Sequence, residues 1–71
     1  MDNSQLAKIS VGDTGVALSR LNPIGQVLVN DVEVLGKSYD GEFIDEETEV
    51  EVVKVKTYNI LVKKKQSEIT N

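Results

Sequence analysis

Apolar and polar residues alternate along most of this chain with the two-residue period of a β-strand. Over 14–20, the larger apolar side chains of Val16 and Leu18 alternate with small or polar ones, which is typical of a half-buried strand. Valine supplies many of the apolar positions, and its branched side chain favours the pleated surface of a sheet. No segment sustains the 3.6-residue apolar repeat of an amphipathic helix. The pattern therefore predicts an all-β fold.

A β-hairpin is predicted in the middle of the chain. Residues 26–29 and 32–37 have the composition of two strands. Asn30 and Asp31, which lie between them, tolerate the positive φ angles that a tight two-residue turn requires. Before the hairpin, 21–25 is predicted to form a turn, because its proline fixes φ and its glycine avoids Cβ clashes.

The connection over 38–48 is irregular and acidic. It follows the third predicted strand, where many OB-folds carry a helix, but it is too short and too acidic to hold one comfortably. Phe43 and Ile44 interrupt its polarity. We expect this apolar pair to form a plug against the barrel.

The segment 49–56 predicts a strand with a local irregularity. Its apolar residues occupy even positions up to Val52 and odd positions from Val53. A regular strand keeps one phase, whereas a β-bulge or a sharp bend changes it. The next three residues, 57–59, are predicted to form a hairpin loop, and 60–62 a final strand.

Five short strands with bends and a proline-containing corner predict a small, partly open, five-stranded OB-fold-like barrel with little or no helix. An SH3-like barrel is the nearest alternative. We expect 1–10 to be a flexible N-terminal segment, 11–63 to form the barrel domain, and 64–71 to be a polar C-terminal tail.

Composition narrows the possible chemistry. The 71 residues suffice for one domain with a small core, and they include no cysteine and no histidine. Disulfides, thiolate zinc sites and histidine-based catalysis are therefore excluded. The net charge of −4 argues against nucleic acid as a partner, because binding to phosphates needs a concentrated positive field.

No motif indicates an enzyme, a cofactor or a metal. Gly36-Lys37-Ser38 resembles the end of a phosphate-binding loop, but Asp31 stands where that loop needs its first glycine. The carboxylates between 40 and 51 do not have the spacing of a calcium loop and are better interpreted as a solvated surface. Paired carboxylates for glycoside hydrolysis would need a desolvated cleft, which so small a domain does not readily offer. The serines have no histidine partner.

Lysines form the other charged feature. Lys63, Lys64 and Lys65, together with Lys54 and Lys56, are predicted to form a basic strip on one side. We interpret this strip as protection of an exposed strand edge and as a source of solubility. Contact with anionic lipid headgroups is the alternative if the domain is tethered near a membrane.

An ordered set of residues from Gly12 to about Val62 resembles the soluble C-terminal domain of NfeD-like proteins. Two positions depart from that pattern: Asn30-Asp31 stands where the family often has a glycine turn, and Glu47 stands where a glycine usually follows the Phe-Ile pair. The residues that carry the resemblance most clearly are Gly12, Gly15, Leu21, Pro23, Gly25, Gly41, Phe43 and Ile44.

The resemblance implies an OB-like barrel that follows transmembrane helices absent from this chain. It implies a non-enzymatic docking domain that is itself soluble and cytoplasmic, within a membrane-associated protein. The implied partners are stomatin- or flotillin-type scaffolds, and the implied role is to influence membrane protease activity. An OB-fold binder of single-stranded nucleic acid or oligosaccharide is the alternative, by architectural analogy alone. No cofactor is expected, and the resemblance does not indicate which residues contact the partner.

Overall fold

The computed structural model describes residues 6–65 as an all-β barrel of five strands. A short 3-10 turn over Leu6–Lys8 precedes them. The strands are β1 (Thr14–Ala17), β2 (Ile24–Val29), β3 (Val32–Ser38), β4 (Glu49–Val55) and β5 (Ile60–Lys64). The predicted fold class is confirmed.

The strands close into a barrel in the order β1-β2-β3-β5-β4, with β4 pairing back to β1. All neighbouring strands are antiparallel except β3 and β5, which are parallel over three residue pairs. The sequence pattern indicated a partly open barrel. The structure differs because this short parallel pairing, between strands far apart in sequence, completes the ring.

The alternation in the sequence determines the core. In β3, every second residue from Val32 to Ser38 is buried and the residues between them are exposed. Successive side chains on a strand point to opposite faces of the sheet, so one face fills the barrel and the other meets solvent. The core comprises Ile9, Ala17, Leu21, Val27, Val29, Val32, Val34, Ile44, Val50, Val52, Ile60 and Val62.

The hairpin of β2 and β3 is confirmed. Val29 pairs with Val32, and the two turn residues have positive φ angles, 54° at Asn30 and 67° at Asp31. Two consecutive residues with positive φ define the turn whose twist matches that of the flanking strands. The Asn30 side chain stabilises the turn further, because its Nδ2 donates to the carbonyl oxygen of Lys8 at 2.9 Å.

The irregularity in β4 is confirmed as a break in its pairing with β5. Val52 pairs with Val62, but the next pair joins Lys54 to Leu61, which leaves Val53 without an opposite residue. The extra residue explains the change of apolar phase in the sequence. It allows the residues on both sides of the break to keep their inward and outward directions while the strand bends.

The corner before the hairpin lies earlier in the chain than predicted, over 18–23 instead of 21–25. β1 ends at Ala17 and β2 already begins at Ile24, so Gly25 lies within a strand opposite Gly36. Leu18 and Ser19 both direct their backbone N–H groups to the carbonyl oxygen of Gln26. This shared acceptor ends the regular β1–β2 ladder, which the alternation of Val16 and Leu18 alone predicted to continue.

The described barrel extends beyond residues 11–63 at both ends. Ile9 belongs to the core and Leu6 packs against it. At the other end, β5 continues to Lys64, and the N–H of Lys65 donates to the carbonyl oxygen of Glu49 at 3.0 Å. The remaining parts of the expected flexible segment and polar tail, 1–5 and 66–71, lie outside the described residues.

Candidate partner-binding surface

The residues that carry the family resemblance are distributed along the backbone and do not form one cluster. Leu21 and Ile44 do meet: each donates its N–H to the other's carbonyl oxygen, at 2.8 and 3.0 Å, and both side chains are buried. The carbonyl oxygen of Pro23 accepts a hydrogen bond from the N–H of Ser38 at 2.8 Å. These contacts fasten the loop over 38–48 and the corner before β2 to the barrel.

The glycines of this set fall into two groups. Gly12 and Gly41 have φ angles of 97° and 79° with open space where a Cβ would stand, so their requirement is conformational. Gly15 and Gly25 lie in strands where another part of the chain comes too close for a side chain. The nearest atoms are the carbonyl oxygen of Leu28 for Gly15 and that of Arg20 for Gly25.

The expected apolar plug is formed by Ile44 alone. Ile44 is buried, whereas Phe43 points outwards and 46% of its surface is exposed. Adjacent residues in an extended segment face opposite sides, so only one member of the pair can enter the core. The Arg20 guanidinium carbon lies 5.4 Å from the centre of the Phe43 ring, within the range of a cation–π contact.

The acidic loop is held by its own hydrogen bonds. Asp40 accepts from the N–H of Glu42 at 3.1 Å and from the hydroxyl of Ser38 at 3.2 Å. The Glu42 N–H bond is the main reason that the pKa of the Asp40 carboxyl lies below its usual value, and the Ser38 hydroxyl and the Lys64 ammonium add to it. Within residues 6–65, no group of three or more acidic side chains is placed to hold a metal ion.

A groove of about 430 Å³ with Ile44 among its lining residues opens between this loop and the end of β5. One wall carries the carboxylates of Asp40 and Glu42, and the opposite wall carries the three lysines of 63–65. Lys65 also lies 4.0 Å from the Glu49 carboxylate. Both signs of charge are thus present within a short distance, so the groove has no strong preference for an anion or a cation.

A more distinctive surface lies on the outside of the barrel, across four strands. Strand pairing places four outward side chains side by side in one row. Ile24 pairs with Lys37, Lys37 with Leu61, and Leu61 with Lys54. Leu35 points to the same side two residues before Lys37, with 41% of its surface exposed, and Ile24 is 52% exposed. We call Ile24, Leu35, Lys37, Lys54 and Leu61 the β3–β5 face.

The predicted basic strip is divided by the fold. Lys54 belongs to the β3–β5 face, whereas Lys63 pairs across the ladder with Glu51 in the next row. The sequence pattern did not place Lys37 among the lysines of this strip. Alternation in the hairpin indicates that Leu35 and Lys37 point outwards, but only the parallel pairing of β3 with β5 places Lys37 beside Leu61.

A family model described as the NfeD-like C-terminal, partner-binding domain matches residues 7–64. Among solved structures, the C-terminal domain of stomatin operon partner protein 1510-C from Pyrococcus horikoshii superposes with a TM-score of 0.76. It is 23% identical, over 80% of this chain and 89% of that one, which establishes likeness of fold. No curated protein matches the chain. No helix within residues 6–65 is long and apolar enough to cross a membrane.

Proposed function

The chain belongs to the family of NfeD-like C-terminal, partner-binding domains, and on this premise we propose that it is a non-enzymatic docking domain of a membrane-associated protein. The proposed partner is a stomatin- or flotillin-type scaffold. The structural relative is named as a stomatin operon partner protein, which supports this choice of scaffold. The proposal extends to a location on the cytoplasmic side of the membrane and to an influence on membrane protease activity.

The β3–β5 face is the observation that carries the proposal. Ile24 and Leu35 are exposed and Leu61 is half-buried, although the core of the barrel is already filled by other residues. Apolar side chains grouped on the outside of a small domain gain stability when a second surface covers them. Docking through the outer face of a sheet needs no catalytic group.

The closed barrel also favours one mode of docking over another. A partner strand can be added only where a sheet has a free edge. Among residues 6–65 each of the five strands pairs on both sides, and the edge left free is short, because β3 meets β5 only from Gly36 to Ser38. Side-chain contacts on the outside of the barrel are therefore the proposed basis of recognition, in preference to strand addition.

Binding to a scaffold from the same organism tests the proposal directly. The tagged domain is immobilised and incubated with the purified cytoplasmic part of the stomatin-type protein, and binding is quantified by surface plasmon resonance. We expect saturable binding. Its absence, both with this protein and with its flotillin-type counterpart, would contradict the proposed partner class.

Two further measurements separate the parts of the proposal. Adding the domain to a membrane protease reconstituted with the scaffold is expected to change the rate of substrate cleavage, and an unchanged rate would remove that part alone. Titration with labelled single-stranded oligonucleotides and with oligosaccharides at low salt examines the alternative function. Saturable binding there would favour it over docking.

A further inference from the structure

We propose that the β3–β5 face recognises an acidic, amphipathic protein segment, whose apolar side chains cover Ile24, Leu35 and Leu61 while its carboxylates pair with lysines. This inference deepens the proposed docking function and rests on it. It specifies the chemistry of the partner, which neither the family description nor the structural relative supplies.

The arrangement of charge on the face carries the inference. In the row across the sheet, apolar and basic side chains alternate: Ile24, Lys37, Leu61 and Lys54. Leu61 thus has a lysine as its cross-strand neighbour on each side. None of the five residues of the face is acidic, although the chain as a whole has a net charge of −4. A local positive surface on an acidic protein selects a complementary partner and disfavours a basic one.

Carboxylates border the face in the neighbouring rows. Along β3, Glu33 precedes Leu35 on the same side of the strand, and it lies opposite Leu28. Towards the other end, Glu51 pairs with Lys63. The positive area therefore ends at the Glu33 carboxylate on one side, and on the other side it meets a row in which Glu51 is matched by Lys63. A strip of this width fits one protein segment, whereas a broad anionic membrane would also bring the Glu33 carboxylate close to lipid phosphates, which repel it.

Apolar contact and charge contribute different properties to such an interface. Covering exposed aliphatic side chains supplies most of the affinity. The lysine stems add apolar area around them while the ammonium groups stay in water. Ion pairs at the rim contribute modestly to affinity but fix the orientation of the segment and make association sensitive to salt.

The test uses the whole chain, labelled with ¹⁵N, and synthetic probes of defined composition. The first probe is an amphipathic helical peptide with leucine on one face and glutamate on the other. The second is the same peptide with lysine in place of glutamate. The third is a vesicle of phosphatidylcholine and phosphatidylserine. Amide chemical shifts in two-dimensional NMR spectra report where each probe binds.

We expect the glutamate peptide to shift the amides of Leu35, Lys37, Lys54 and Leu61 in a saturable manner, and the lysine peptide to leave them unchanged. The absence of saturable shifts with the glutamate peptide, or a shift pattern centred elsewhere, would overturn the inference. Stronger binding to the vesicles than to the peptide would overturn it in favour of a membrane surface.

Charge reversal with a matched control completes the test. Lys37→Glu is expected to weaken binding of the glutamate peptide roughly tenfold at low salt, with a smaller effect at high salt. Lys8→Glu changes the net charge equally, but Lys8 lies beside Asn30 at the opposite end of β3, so its effect is expected to be small. Equal effects of the two variants would show that only net charge matters and would contradict a site.

A third variant, Leu35→Thr, leaves the charge unchanged and is expected to weaken binding through loss of apolar contact. These experiments do not use the scaffold protein. If the scaffold binds the domain but the glutamate peptide does not, the docking function survives and the proposed segment chemistry fails. If the peptide binds and the scaffold does not, the face is a recognition site and the proposed partner class fails.

Discussion

At the scale of single residues, three non-glycine positions within 6–65 have positive φ angles: Asn30, Asp31 and Glu47. These are the positions at which the resemblance in the sequence led us to expect glycine. Asn and Asp tolerate this conformation because their short side chains bond locally, whereas Glu has no such compensation. The left-handed backbone at Glu47 therefore carries strain that glycine would not. Sequence reasoning located these loops but could not supply their φ angles.

Replacing Glu47 by glycine is expected to stabilise the protein. The φ angle at Glu47 is 67°, and its N–H donates to the carbonyl oxygen of Ala17 at 2.7 Å, a bond that glycine retains. Relief of left-handed strain outweighs the greater freedom of glycine in the unfolded chain, for a net gain of about 0.5–1 kcal/mol. Urea unfolding measures the change. The neighbouring Glu46→Gly alters charge equally but has no positive φ to relieve, and it should destabilise; a similar gain in both variants would contradict the explanation.

The hydrogen bonds to Asp40 predict a stability that depends on pH. Chiefly because of the Glu42 N–H, the pKa of this carboxyl in the folded state lies below its ordinary value of 3.8. The unfolded state therefore binds a proton at this carboxyl more readily than the folded state does. The stabilisation is fully present above the pKa of the unfolded state and is lost as pH falls through the pKa of the folded state. Asp40→Asn removes the titrating group while keeping an acceptor oxygen.

The difference in unfolding free energy between wild type and Asp40→Asn should thus be constant above about pH 5 and shrink in more acidic solution. Denaturant unfolding at a series of pH values checks this. NMR titration of Ser38→Ala, which lacks one donor to the carboxyl, should show a higher pKa for Asp40 than in the wild type. A difference that stays flat down to the lowest pH would show that these bonds do not favour the charged form.

At the scale of elements, local pattern predicted what depends on neighbours in sequence. The hairpin, the bulge in β4 and the loop after it were all evident from alternation and turn residues. The end of β1, the start of β2 and the closing of the barrel were not. Those features depend on contacts between segments that are distant in sequence. The carbonyl oxygen of Gln26 accepts two hydrogen bonds at the end of β1, and the end of β3 pairs with β5. The spacing of residues in a single sequence does not show which distant segments will pair.

Gly15 provides the clearest test of such an approach. It pairs with Val29 on β2 and Val50 on β4, and a Cβ at this position would overlap the carbonyl oxygen of Leu28. A backbone atom cannot rotate away, so Gly15→Ala should lower the unfolding free energy by at least about 2 kcal/mol.

Gly41→Ala serves as the comparison. Its Cβ would meet no atom within 4 Å, so only the left-handed φ should cost stability, about 1 kcal/mol. Thermal unfolding of both variants decides the matter, and equal losses would mean that the strands separate enough to admit the methyl group.

At the scale of the whole molecule, the sequence predicted which side chains of the candidate site are exposed better than it predicted which of them lie side by side. Exposed lysines were anticipated from the sequence, but they were grouped by closeness in the chain, as 54–56 with 63–65. The fold regroups them by strand pairing: Lys54 joins Lys37 around Leu61, and Lys63 is matched with Glu51. Alternation indicated that Leu35 points outwards, but it could not show the same for Leu61, because 60–62 are three consecutive apolar residues. Which side of a strand faces the core depends on the complete barrel.

The start of the barrel affects the stability of the entire domain. Ile9 is 4% exposed and belongs to the core, although it precedes β1 and stands in a segment whose polarity suggested a flexible end. A domain of this size is stabilised by roughly 4–10 kcal/mol in total. Truncating Ile9 to alanine should remove about 2–4 kcal/mol, through lost burial and the cavity left behind. Val11, two residues later, is 65% exposed, and Val11→Ala should change stability by less than about 0.5 kcal/mol. Urea unfolding of the two variants separates the cases. If Ile9→Ala is as mild as Val11→Ala, Ile9 does not pack against the barrel in solution and the domain begins near residue 11. If it is several times more costly, Ile9 is part of the folded domain, and a shortened version must retain this residue to fold with full stability.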